Sequence, residues 1–181
     1  AYSALEYPGY LLLKTIDGGQ SWFNCGFQEP GVHPQYGFSS IHFHPDNSEV
    51  VFLVKNELLA NYTSYIKMTY DDGQTWHDYG PEDPVNKLDI SGMYFDEHDP
   101  NLILVFGANP IGNVYYTPDG GNHWLKALSG TEFSEGKRNA ITCIKSPWMN
   151  NLLYLSSFGV KTSSDMGRTW NPYQPIDTSR V

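Results

Sequence analysis

The octapeptide Thr15-Ile-Asp-Gly-Gly-Gln-Ser-Trp22 returns three more times in near copy within 181 residues, and no other feature limits the fold as severely. The pattern Thr15-x-Asp17-x-Gly19-x-Ser21-Trp22 aligns with Thr69-x-Asp71-x-Gly73-x-Thr75-Trp76, with Thr117-x-Asp119-x-Gly121-x-His123-Trp124 and with Ser163-x-Asp165-x-Gly167-x-Thr169-Trp170. Its aspartates are 54, 48 and 46 residues apart. A period of this size marks an array of supersecondary units, none of which can bury its apolar surface alone.

A second feature keeps step with the first. Ahead of each of the last three boxes lies an apolar run, a Pro/Asn/Asp turn and a second apolar run: SSIHFHPDNSEVVFLV (39–54), ISGMYFDEHDPNLILVFG (90–107) and ITCIKSPWMNNLLYLSS (141–157). A third strand then leads into the box, as SYIKMT (64–69), GNVYYT (112–117) or FGVKTS (158–163), and the residues after Trp form a fourth. Each unit is thus expected to be a four-stranded antiparallel meander. Such a sheet has two apolar faces, so sheets must stack, and radial stacking shelters both the faces and the strand edges. Composition agrees: seventeen Gly, twelve Pro, thirteen Tyr and five Trp favour short strands and tight turns over long helices. The expected fold class is all-β, a β-propeller.

The Ser/Thr-x-Asp-x-Gly-x-Ser/Thr-Trp motif resembles the Asp-box, or BNR repeat, of sialidase-like propellers, sortilin-type receptor domains, xyloglucan-degrading propellers and a photosystem assembly factor, over residues 9 to 173. That resemblance implies that the box is the turn between the third and fourth strands of a blade. Asp17, Asp71, Asp119 and Asp165 are then turn clasps that accept backbone N–H bonds, and Gly19, Gly73, Gly121 and Gly167 relieve a left-handed or close-packed backbone. Trp22, Trp76, Trp124 and Trp170 are expected as pins filling the gap between adjacent sheets. The position after Asp, held by Gly18, Asp72 and Gly120, is tuned to turn conformation, and His123 in place of a hydroxyl residue weakens one local bond. No box has the alternating oxygen ligands and distal Glu of an EF-type calcium loop.

The blade count does not close. A single propeller segment over 1–181 holds a half blade (9–26), with only its third and fourth strands, and three blades (38–80, 89–128 and 139–174). Three and a half blades fall short of the four to eight that close a ring, so a longer chain or a partner chain is expected to supply the rest. The start AYSALEYPGY, without initiator Met or signal segment, suits a processed chain or a fragment.

In propellers of this kind the boxes and the first-to-second strand turns lie away from the ligand face. The opposite rim is then built from GFQEPGVHPQYGF (26–38), KNELLANYTS (55–64), GPEDPVNKLD (80–89), GANPIGN (107–113) and SGTEFSEGKRN (129–139). Their carboxylates, amides and aromatics are a vocabulary for glycan recognition, although exposed residues of these types are ordinarily only solvated. Glu29, His33, Tyr36, Asn109 and Arg138 are the substrate-binding candidates, and Asp89, at the start of an innermost strand, is the catalytic candidate for acid, base or nucleophile in glycoside hydrolysis. A sialidase-like arginine triad is out of reach. Of Arg138, Arg168 and Arg180, the second lies inside a box and the third in the tail. A xyloglucan-degrading type is therefore preferred to a true sialidase, and the competing expectation is a non-catalytic scaffold or receptor whose ring grips a protein or peptide.

A net charge of −9 argues against nucleic acid and anionic membrane surfaces as partners, and no apolar window is long enough for membrane insertion. Cys25 and Cys143 lack paired spacing and read as buried unpaired thiols. His42 and His44 share a strand face without a third ligand in the pattern, so no metal and no cofactor is expected. Asn61-Tyr62-Thr63 is a glycosylation sequon, in keeping with an extracellular, secretory-pathway or periplasmic protein.

Overall fold

Five consecutive apolar residues, Val50 to Val54, lie in one strand of the second sheet and all are buried. A strand covered on one side alternates apolar with polar; an unbroken run requires cover on both faces. The strand Ile103–Gly107 repeats this pattern, buried at every position. Both strands lie inside stacked sheets.

The computed structural model describes residues 2–5, 11–25, 36–57, 63–81, 90–107, 113–128, 142–146, 153–157 and 159–172. Every regular element among them is a strand, and no helix there is long and apolar enough to cross a membrane. The first sheet holds β1 (Tyr2–Leu5), β2 (Leu11–Lys14) and β3 (Phe23–Asn24) in the order β1-β2-β3. The second is β4 (Tyr36–His44), β5 (Asn47–Glu57), β6 (Thr63–Thr69) and β7 (His77–Tyr79). The third is β8 (Ile90–Phe95), β9 (Ile103–Gly107), β10 (Asn113–Thr117) and β11 (Leu125–Leu128). The fourth is β12 (Thr142–Lys145), β13 (Leu153–Ser157), β14 (Gly159–Ser163) and β15 (Asn171–Pro172). Neighbours in each sheet are sequential and antiparallel. The chain is an all-β partial propeller.

One strand lies beyond the sequence expectation. The half blade of 9–26 gains β1, which pairs Tyr2 with Lys14 through Leu5 with Leu11 and so takes the second-strand position. Tyr-Ser-Ala-Leu carries little strand signal of its own; its cross-strand partners define it.

Stacking is directional. Each sheet has a leading face toward the sheet before it and a trailing face toward the sheet after it. Phe52, Ile66 and Met68 on the trailing face of the second sheet meet Met93, Ile103, Val105 and Tyr115 on the leading face of the third. Leu104, Phe106 and Val114 on the trailing face of the third meet Leu153 and Trp170 of the fourth. Leu12 of the first sheet meets Leu53 of the second. Each fully buried Leu, Ile or Phe contributes roughly 1.5–3 kcal/mol over its exposed state, which makes these three seams the main stabilising element.

Candidate functional site

Among the described residues the boxes are the best-defined polar constellations. In the first, Thr15 Oγ1 donates to Asp17 Oδ1 at 2.7 Å and accepts the Gly19 N–H at 2.9 Å. The same carboxylate takes the Ser21 N–H on Oδ1 at 2.9 Å and the Ser21 hydroxyl on Oδ2 at 2.5 Å. The second box repeats the pair with Thr75, at 2.8 and 2.6 Å, and the fourth with Thr169, at 2.9 and 2.6 Å. In the third, His123 Nδ1 lies 2.6 Å from Asp119 Oδ2, so the imidazole replaces the hydroxyl bond that the sequence suggested would weaken.

These bonds favour the ionised carboxylate. Asp71 is held down to about 2, first by the Thr75 hydroxyl and then by the Thr75 N–H; Asp119 falls to about 2 through His123. Asp17 is lowered for the same reason, Ser21 supplying the largest part. At Asp165 burial pushes upward, yet the bonds from Thr169 and Ser163 outweigh it and the net direction is down. A carboxylate bound on both oxygens and fixed as an anion is a turn clasp with little capacity for proton transfer.

Two successive residues in each box take the left-handed backbone: Gly18 and Gly19, Asp72 and Gly73, Gly120 and Gly121, Met166 and Gly167. At the second of these positions glycine has a further reason. A Cβ on Gly121 would lie 2.4 Å from the Tyr79 hydroxyl oxygen of the preceding sheet, and one on Gly167 would lie 2.0 Å from Leu104 Cδ2. Each of these glycines is the floor on which the trailing face of one sheet touches the turn of the next. Tyr79 Oη also donates to the Gly120 carbonyl at 3.0 Å, and Lys14 of the first sheet pairs with Asp72 of the second box. Glu97 and Lys145 form a third tie, between the third and fourth sheets. Spacing along the chain carries no sign of these cross-sheet partners. The one hint is Lys14, a cation buried at the end of an apolar run, which requires an anion nearby.

The first-to-second strand turns adjoin the boxes. Asp72 N–H donates to the Glu49 carbonyl at 3.1 Å, and Gly120 N–H to that of Asn101 at 2.9 Å. In the turn after β8, Asp96 Oδ1 accepts the N–H groups of His98 and Asp99, both at 2.8 Å. Beside the second box, Lys14, Asn24, Cys25, Asp72 and Gln74 line a cavity of about 480 Å³ that opens to solvent.

Trp170 is 8% exposed and packs on the third sheet, while Trp124 and Trp76 are partly buried against the second and first. Trp22 departs from the expected pin. It is 43% exposed, because no described sheet precedes its own. Its indole N–H still donates to the Gly19 carbonyl at 3.1 Å, as that of Trp170 does to Gly167 at 3.0 Å.

Asp89, Glu29, His33, Asn109, Arg138 and Asn61 lie outside the described residues. Tyr36 opens β4 and pairs in register with Glu57, at the end of the second sheet opposite its box. His42 Nε2 lies 2.9 Å from Ser40 Oγ and its ring faces Phe95; burial lowers its pKa. His44 instead accepts the Asp46 N–H at 3.3 Å, beyond a register irregularity at Phe43. Cys25 and Cys143 are free thiols, both raised by burial, Cys143 to about 12.

Among solved structures, the fold is similar to a GH74 xyloglucanase from Xanthomonas campestris, with a TM-score of 0.65 and 15% identity over 90% of this chain and 27% of that one. It is also similar to YCF48 bound to D1 peptide, with a TM-score of 0.59 and 19% identity over 98% of this chain and 51% of that one. The vacuolar protein sorting/targeting protein 10 of Colletotrichum graminicola is 36% identical over 77 residues, which cover 35% of this chain and 5% of that protein. The chain thus spans a small part of that relative and about a quarter to a half of the similar structures. The Sortilin-Vps10 family model (sortilin, neurotensin receptor 3) matches residues 11–151, well over half of the chain. This chain belongs to the Sortilin-Vps10 family.

Proposed function

We propose that this chain is a wall of a sorting-receptor propeller that grips a protein or peptide ligand at the sheet ends remote from the boxes. The family match over residues 11–151 carries this reading, and the name of the vacuolar sorting relative and the peptide bound to YCF48 support it. The chemistry of the boxes also supports it. Their carboxylates are bound within the turns, so the opposite rim, with Glu29, His33, Tyr36, Asn109 and Arg138, is the place for a ligand. Residence in the secretory pathway follows from the same reading and would suit the Asn61 sequon.

Likeness in fold to the xyloglucanase favours a second reading, in which the rim binds or hydrolyses a glycan with Asp89 as acid or base. One paired experiment separates them. Random peptides displayed on phage are panned on the immobilised chain and the enriched sequences are remade and titrated calorimetrically, while xyloglucan is assayed for reducing-end release. Saturable peptide binding without release is expected. Release that disappears in Asp89→Asn, with no peptide enriched, overturns the receptor reading.

A further inference from the structure

Cys25 and Tyr79 stand at one position in successive sheets. Each is the third residue after its box tryptophan, and each lies opposite the residue three before its box threonine: Cys25 N–H donates to the Leu12 carbonyl at 3.1 Å, and Tyr79 pairs in register with Ile66. In the seam between the second and third sheets the Tyr79 ring fills the gap. It meets Trp124 edge-on at 5.7 Å, covers Gly121 and donates its hydroxyl to the Gly120 carbonyl at 3.0 Å. Between the first and second sheets the same walls stand without the ring. Cys25, Asp72 and Gly73, the equivalents of Tyr79, Gly120 and Gly121, line the cavity of about 480 Å³ beside the second box. The Cys25 thiol turns back on its own sheet, donating to the Leu12 carbonyl at 3.0 Å. Lys14 takes over the tie, its ammonium donating to the Asp72 carbonyl at 3.5 Å and pairing with the Asp72 carboxylate. In the third seam the position is Ala127, and there Leu104 lies over Gly167. The first seam keeps its cavity.

We propose that this cavity binds a phenol, the group that Tyr79 supplies in the next seam, with the ring in the equivalent of the Tyr79 position and the hydroxyl donating to the Asp72 carbonyl. A carbonyl oxygen has two lone pairs, so the bond from Lys14 leaves room for a second donor. The volume lies within the roughly 300–1,000 Å³ of small-molecule sites, and the opening to solvent gives an occupant its way in. The walls suit an aromatic group with one polar end. Phe23 offers an apolar side, and the Lys14 ammonium, on a residue only 9% exposed, attracts an electron-rich ring. Both sheets of this seam belong to the chain, and the site is on the box side, apart from the rim proposed for the protein or peptide ligand.

The 181-residue chain is alkylated with iodoacetamide in the presence of p-cresol, and the rates at Cys25 and Cys143 are read separately by peptide mass spectrometry. Saturable protection of Cys25 is expected, about threefold at a cresol concentration about twice Kd, with the rate at Cys143 unchanged. Toluene, which lacks the hydroxyl, should protect less at equal concentration. N-acetyltyrosine amide distinguishes the two sources of the group: protection by it supports a tyrosyl side chain carried on a backbone, and protection by cresol alone a free small phenol. Saturation-transfer NMR then follows cresol on variants. Transfer should persist with Cys25→Ser, which keeps the cavity, and vanish with Cys25→Tyr, which supplies the ring from within the chain. Asn24→Trp, which narrows the same cavity from an exposed position, takes its place if Cys25→Tyr fails to fold. No saturable protection by either phenol, equal protection by toluene or at Cys143, or transfer that survives the filled cavity overturns the proposal.

Discussion

The first and fourth boxes share one turn and differ in surroundings. Their matching hydrogen bonds agree to within 0.2 Å, from the hydroxyl-to-carboxylate bond to the indole N–H on the glycine carbonyl. Yet Trp170 is buried and Trp22 is not, and Gly167 lies under Leu104 of the neighbouring sheet while a Cβ on Gly19 would meet, among the described residues, the indole of its own Trp22. The box therefore joins two devices that can be separated. The Asp clasp is local and forms whatever lies beside it. The Gly-Trp floor works only when another sheet rests on it.

The largest effect should come from the tryptophans. Trp170→Ala leaves a hole beneath Leu104, Phe106 and Val114 and should cost about 3–5 kcal/mol in urea unfolding, within the range for buried aromatics. Trp22→Ala should cost under about 1 kcal/mol. Equal costs would break the comparison, since Trp22 would then be covered within one chain. Gly167→Ala comes next. It adds a Cβ to a left-handed backbone and drives it against fully buried Leu104, together about 2–4 kcal/mol. Gly19→Ala keeps only the backbone strain, about 1 kcal/mol. Thermal melts of the two variants side by side isolate the contact from the strain, because the strain is common to both.

Much of this was legible in the sequence, because a box fixes three things at once: the turn, the strand before it and the face on which its Trp lies. Four boxes in step therefore delimited the sheets, and the apolar runs around HPDN and HDPN located the paired strands before them. β1 escaped because its partner, not its composition, makes it a strand. The exposure of Trp22 escaped because burial belongs to the neighbouring sheet. Lys14–Asp72 and Tyr79–Gly120 join residues 58 and 41 positions apart, and no local pattern encodes such a pair. The rim candidates, Asp89 foremost, rest on residue type and the expected side of the fold; solvated loop residues share those types, so that signal is weak by nature.

The smallest expected effect concerns the local device and should be alike wherever it is measured. A carboxylate whose folded pKa is depressed stabilises the fold above its unfolded pKa, near 4, and this stabilisation is lost as pH falls through the folded value. For Asp71 and Asp119 the window therefore runs from about pH 4 down to about 2. Thr75→Ala removes the bond that contributes most at Asp71, so the folded pKa should rise and stability should fall less steeply with acid across that window. Ser21→Ala should act in the same direction at Asp17, although no described sheet lies in front of its box. Carboxyl carbon NMR titration of the two aspartates checks both shifts. A rise at Asp71 without one at Asp17 would mean that the clasp depends on the neighbouring sheet after all, and the separation into two devices would fail.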